Sequence, residues 1–160
     1  MKNFRILFLT FLACPAFAQT LTINNGSAGA NWTLSAPSST ITAAGKNYEH
    51  IETTGLAHTL LKVNAALVWS VSIQQNGTSN WDPALKIYVR RTGDGTGGAI
   101  LTGNTNYLQL TTTAQALVGG LLGLGFSRDD IPIQYKIEGL SVLLPVKNYT
   151  TTILFTVSGL

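Results

Sequence analysis

The run Leu67-Val68-Trp69-Ser70-Val71-Ser72-Ile73-Gln74 sends Leu67, Trp69, Val71 and Ile73 to one side and Ser70, Ser72 and Gln74 to the other. A period of two is what a half-buried strand requires. The pattern recurs. In Leu85–Arg90, Leu85, Ile87 and Val89 face inward and Lys86, Tyr88 and Arg90 outward. Ile131–Ile137 alternates over its whole length, and its Pro132 predicts a strand start or a sheet edge. Tyr149–Val157 puts Tyr149, Thr151, Ile153, Phe155 and Val157 on one face. Shorter runs of the same kind are Thr20–Ile23, Asn31–Ser35, Thr40–Ala43, Thr59–Asn64, Tyr107–Leu110 and Gln115–Val118. Turn clusters separate them at Asn24–Ser27, Ala36–Ser39 and Asn76-Gly77, the last followed by a long loop rather than a tight hairpin. Thr112–Leu124 offers one short helical turn, which Gly119, Gly120 and Gly123 weaken by about 1 kcal/mol each relative to Ala. The chain is expected to be all-β, a single antiparallel β-sandwich of Ig-like or pilin-like form with little or no helix.

The first eighteen residues read differently. Lys2 and Arg5 precede the apolar run Ile6–Ala13, and Pro15-Ala16-Phe17-Ala18 places small residues before a cut after Ala18. Charged, apolar and small-residue regions in that order are a secretory signal peptide. The apolar run is too short for a membrane span, which takes about 20 residues. A competing reading uses Cys14, since Leu12-Ala13-Cys14 loosely resembles a lipobox. Phe11, Leu12 and Pro15 fit that pattern poorly. The expected domains are therefore a leader over 1–18 and a sandwich over 19–160. The mature protein is then exported to the periplasm, cell surface or extracellular space of a bacterium, with no transmembrane segment.

Cleavage changes the charge. The precursor has ten basic and seven acidic residues, a net charge of +3. Losing Lys2 and Arg5 leaves eight against seven, or +1. No basic patch remains to attract nucleic acid or acidic membranes. Cys14 leaves as well, which removes disulfides, thiol catalysis and Cys-ligated metals. Charged residues make up only 11% of the chain, against about 25% in ordinary soluble domains.

Residues for chemistry are scarce. His50 and His58 are the only histidines. With Glu52 they match no metal-binding spacing, and exposed loop positions are expected for them. No Gly-x-Ser-x-Gly elbow supports a hydrolase triad. Gly93–Gly98 lacks the Lys-Ser or Lys-Thr of a phosphate loop. Its Asp94 is the only carboxylate, too few for calcium, so a flexible inter-strand loop is expected. Asp129-Asp130 reads as a solvated pair ahead of a strand. No cofactor and no enzymatic activity are expected. Trp69 and Trp32 fall in alternating runs and belong to the core, whereas Trp81, between Asn80 and Asp82-Pro83, is the candidate exposed contact. The sequons at Asn25, Asn31, Asn76 and Asn148 are read as unmodified.

The end of the chain, Lys147-Asn148-Tyr149-Thr150-Thr151-Thr152-Ile153-Leu154-Phe155-Thr156-Val157, resembles the closing strand of secreted bacterial pilin-like sandwiches of the spore-coat protein U and fimbrial-subunit type. The cysteine pair of many fimbrial subunits is missing. The resemblance implies an incomplete sandwich that a neighbour's strand completes by β-augmentation. The donor would be Gln19–Asn24, with Leu21 and Ile23 as plugs worth roughly 3–6 kcal/mol before ordering costs. The same segment could instead pair within its own domain. The function expected is a structural subunit of a surface fibre, pilus or coat that associates with itself or with other surface subunits. The alternative is a secreted module binding carbohydrate or a surface partner, with Trp81 exposed beside Tyr88 or Tyr107.

Overall fold

The structure is a computed structural model that describes residues 19–26, 32, 49–65, 68–98, 100–103, 105–121 and 127–159. The leader and the runs expected at Thr33–Ser35 and Thr40–Ala43 lie outside them. The described residues form eleven strands: β1 (Thr20–Asn25), β2 (Glu49–Thr53), β3 (Thr59–Asn64), β4 (Val68–Asn76), β5 (Lys86–Arg91), β6 (Thr96–Gly97), β7 (Ile100–Thr102), β8 (Leu108–Gln109), β9 (Gln115–Leu121), β10 (Ser127–Ser141) and β11 (Thr152–Gly159). They make two antiparallel sheets, and no helix occurs among the described residues. This is the all-β sandwich that the alternation predicts.

The first sheet is organised by the 15-residue β10. β3 and then β2 pair along one edge of it, β6 and then β5 along the other. β1 extends this sheet beyond β3, and β8 extends it beyond β5. The second sheet runs β11-β4-β9-β7. The inner rows are the ones the period of two selects. Leu61, Val63, Ile87, Val89, Ile131, Ile133 and Tyr135 come from the first sheet, and Trp69, Val71, Ile73, Leu117 and Val118 from the second. Covering each such aliphatic side chain contributes about 1.5–3 kcal/mol. β4 ends at Asn76, and Gly77 turns the chain with φ 65° toward β5 in the opposite sheet, a crossing rather than a hairpin.

Four local expectations need correction. Pro132 is not at an edge; it lies inside β10, the central strand. Its carbonyl accepts from Thr92 N–H on the β5 side. A residue's N–H points the same way as its carbonyl in a strand, so the missing donor falls in the gap between β6 and β5, where none is needed. Asp129 and Asp130 belong to β10, not to a loop. A bulge between Arg128 and Ile131 gives Asp130 a φ of 55°, and Asp129 accepts from Lys62 Nζ at 3.1 Å. The glycine loop is tethered. Buried Arg128 donates to the carbonyls of Asp94 and Gly97, each at 2.7 Å, and Arg91 pairs with Asp94. Residues 115–121 of the stretch with helical potential form β9, whose own register shift lets Leu117 and Val118 both point inward.

The two sheets differ in charge. No residue of β4, β7, β9 or β11 is ionisable. The first sheet carries Glu49, His50, Glu52, Lys62, Lys86, Arg90, Arg91, Arg128, Asp129, Asp130, Lys136 and Glu138 on its strands, charges of both signs.

Candidate functional site

One end of the sandwich opens into a cleft of about 670 Å³. Both sheets build it. Tyr135, Ile137, Ile87 and Thr59 come from the first sheet, Ile153 from the second, and the loops add Trp32, His58, Trp81 and Tyr149–Thr151. Trp81 is held by a tight turn. Asp82 Oδ1 accepts from Ala84 N–H at 2.9 Å, the Asp82 carbonyl accepts from Leu85 N–H, and the indole N–H donates to the Leu85 carbonyl at 2.8 Å. The Asp82-Pro83 pair explains this turn, since Asp bonds its own backbone and Pro fixes φ. His58 lies edge-on to Tyr135 at 5.7 Å and to Trp32 at 6.5 Å. Tyr135 donates to Thr59 Oγ1 at 3.1 Å, and Tyr149 to the Pro145 carbonyl. Thr151 donates to the Asn76 carbonyl and accepts from Gln75.

Burial raises the Tyr135 phenol above its ordinary value of 10.0, and the Thr59 hydroxyl offsets part of the rise. The folded state thus favours the neutral phenol. That contribution is fully present below pH 10.0 and is lost as pH rises through the folded value. Tyr135→Phe is therefore expected to flatten the alkaline fall of Tm above about pH 10, which melting curves of both proteins would check. An unchanged alkaline limb would assign the fall to other groups.

The outer face of the first sheet carries a second cluster. Arg90 lies 4.5 Å from the centre of the Tyr107 ring, and Lys136 lies 4.3 Å from Tyr88 and 4.7 Å from Tyr107. Tyr107 and Arg90 both donate to Gln134 Oε1. The grouping expected of a binding module is therefore split. Tyr88 and Tyr107 lie under cations on a sheet face, while Trp81 is half-buried at the end cleft with Trp32 and Tyr149. Trp69 is in the core at 2% exposure, as its phase requires. Trp32, placed in the core by its alternation, packs against it only partly and lines the cleft.

His50 and Glu52 are not loop residues. Both lie on β2, and His50 Nε2 donates to Glu52 Oε1 at 2.6 Å. Glu52 is 8% exposed; the carboxylate gains a partner for the hydration it gives up. No group of three or more His, Asp or Glu able to hold a metal occurs among the described residues. Nor do these residues contain a helix long and apolar enough to cross a membrane.

Leu21 and Ile23 lie on β1, which pairs with β3 of its own domain from Thr20↔Asn64 to Asn25↔Thr59. Leu21 packs against the core, and Ile23 is 51% exposed. Ile153, Phe155 and Val157 point inward from β11 as expected, but each is only half covered. Tyr149 and Thr151 precede that strand, which starts at Thr152. The period of two runs through both segments, so nothing in it marks where pairing stops; Pro145 and Asn148 were the available signal. Comparison of the chain with protein-family models, with curated proteins and with solved structures returned no match.

Proposed function

We propose that this chain is an exported structural subunit of a surface fibre, pilus or coat, joined to its neighbours through strand edges. The observation that carries the reading is the edge formed by β11. It pairs with β4 in unbroken register from Thr152↔Asn76 to Gly159↔Trp69 and has no second partner among the described residues. It carries no charge and no proline. Monomeric proteins blunt such edges with lysines, prolines or bulges, because a flat apolar edge recruits another strand. β1 ends the other sheet nearby and is equally free of charge and proline. Its transfer to a neighbour's β3 would remake the same pairs, the low-cost exchange of a domain swap. Val142, Leu143 and Val146, between β10 and β11, add exposed apolar surface of the kind that marks interaction sites. The leader read at 1–18 supports export.

Light scattering on residues 19–160 tests the reading. Large particles are expected from this protein. A form starting at Asn25, which lacks most of β1, should stay monomeric, as should Leu154→Lys/Thr156→Lys. Both of those side chains point away from the core, so the double variant should keep its Tm within a few degrees, about the shift of a surface change. A parent protein that remains a folded monomer at high concentration would sink the proposal.

A further inference from the structure

The end cleft has features that assembly through strand edges does not use. Its aromatic rings are fixed by their polar ends. The Trp81 N–H is committed to Leu85, the Tyr149 hydroxyl to Pro145 and the Tyr135 hydroxyl to Thr59. Aromatic side chains so anchored present carbon faces at low ordering cost. Polar groups lie between them. Thr150 lines the cleft, and the ring nitrogens of His58, half-buried there, make no hydrogen bond among the described residues. Of the described residues lining the cleft, none is Asp, Glu, Lys or Arg. At the rim the charges are of both signs, with Lys147 Nζ 5.0 Å from the centre of the Tyr149 ring and Asp82 next to Trp81, so a charged ligand would give up hydration for no net counter-charge. The volume falls within the range of about 300–1,000 Å³ in which small-ligand sites occur.

A ligand suited to this lining has flat carbon–hydrogen faces, hydroxyls at its rim and no charge. An uncharged pyranose ring meets all three requirements. We propose that the cleft bounded by Trp32, Trp81 and Tyr149 binds a neutral sugar unit of a glycan, with the rings stacking on its faces and His58 and Thr150 bonding its hydroxyls. Burial raises the Tyr149 phenol, and the nearby Asp82 adds to the rise. The Asp82 carboxylate and the Lys147 ammonium over the Tyr149 ring offset each other at the rim, which leaves an uncharged ring as the ligand that fits.

The test is a fluorescence titration of residues 19–160 with cellotriose, xylotriose, maltotriose and tri-N-acetylchitotriose. Trp32 and Trp81 report from the cleft, and Trp69 is sealed in the core. A saturable change is expected with at least one of the four. Tyr149→Ala should weaken it about tenfold, the loss of one stacked ring. His58→Gln should weaken it about threefold or more, the loss of a modest hydrogen bond. Lys136→Gln, on the outer face of the first sheet, should leave it unchanged. Circular dichroism and melting curves establish that each variant is folded. Three results would each overturn the proposal: no saturable change with any of the four sugars, folded Tyr149 and His58 variants that bind like the parent, or a trigalacturonate that binds as tightly as the neutral sugars. Leu154→Lys/Thr156→Lys should bind like the parent, which separates this site from the assembly edge.

Discussion

Replacing Trp69 with alanine is expected to lower the unfolding free energy by about 3–5 kcal/mol, the cost of emptying a large buried aromatic site. That is at least a fifth of the roughly 5–15 kcal/mol that holds an average domain together. The high end of the range is expected here for a structural reason. Trp69 lies opposite Gly159 of β11 on one side and Gly120 of β9 on the other. Neither neighbour has a side chain to fall into the void, so the cavity cannot collapse laterally. Trp69→Phe separates packing from hydrogen bonding. The buried indole N–H has no partner among the described residues, so the phenyl ring removes volume and none of their bonds. Its cost should be about 1–2 kcal/mol. Urea denaturation of the three proteins measures both values. A Trp69→Ala loss under about 1 kcal/mol would mean that the sheet closes over the gap and that the paired glycines do not hold it open.

Gly139→Ala should cost about 2–4 kcal/mol, far more than an ordinary surface substitution. Two independent effects act there. Gly139 has a φ of 86°, which disfavours any residue with a Cβ by about 1–2 kcal/mol. A Cβ built at this position would also lie 2.0 Å from the Ala84 carbonyl oxygen, a backbone atom that cannot rotate away. The strain falls at a structural joint, because Gly139 supplies the extra residue in the bulge between the pairs Ile137↔Glu52 and Leu140↔His50. Beyond it β10 continues along β2, while Ala84 leads into the turn that holds Trp81. The variant is therefore expected to lose stability and to loosen the end cleft, seen as a red shift of tryptophan emission in the folded protein. Wild-type stability in urea would contradict the steric argument.

The sandwich was legible because burial on one face imposes a period of two, and β4 and β5 follow it residue by residue. The departures share a cause. Pro132, Asp129 and Asp130 all lie on β10, a strand long enough to change neighbours along both edges. Whether a position needs an N–H, or tolerates an extra residue, depends on which strand passes beside it. That is a tertiary fact no local window contains. His50 and Glu52 read as exposed loop positions because β2 is short and polar, and only the fold shows its two polar side chains satisfying each other. The site was legible in part. Trp81 stood out from its turn, but Trp32, His58, Tyr135 and Tyr149 are separated by most of the chain and meet only when the two sheets close.

The uneven placement of ionisable groups has a consequence for how the protein meets its surroundings. Among the described strands, protons and dissolved salt find ionisable groups on only one of the two sheets. The β11-β4-β9-β7 wall has nothing to titrate and nothing to screen, so its contacts should be indifferent to acidity and brine alike.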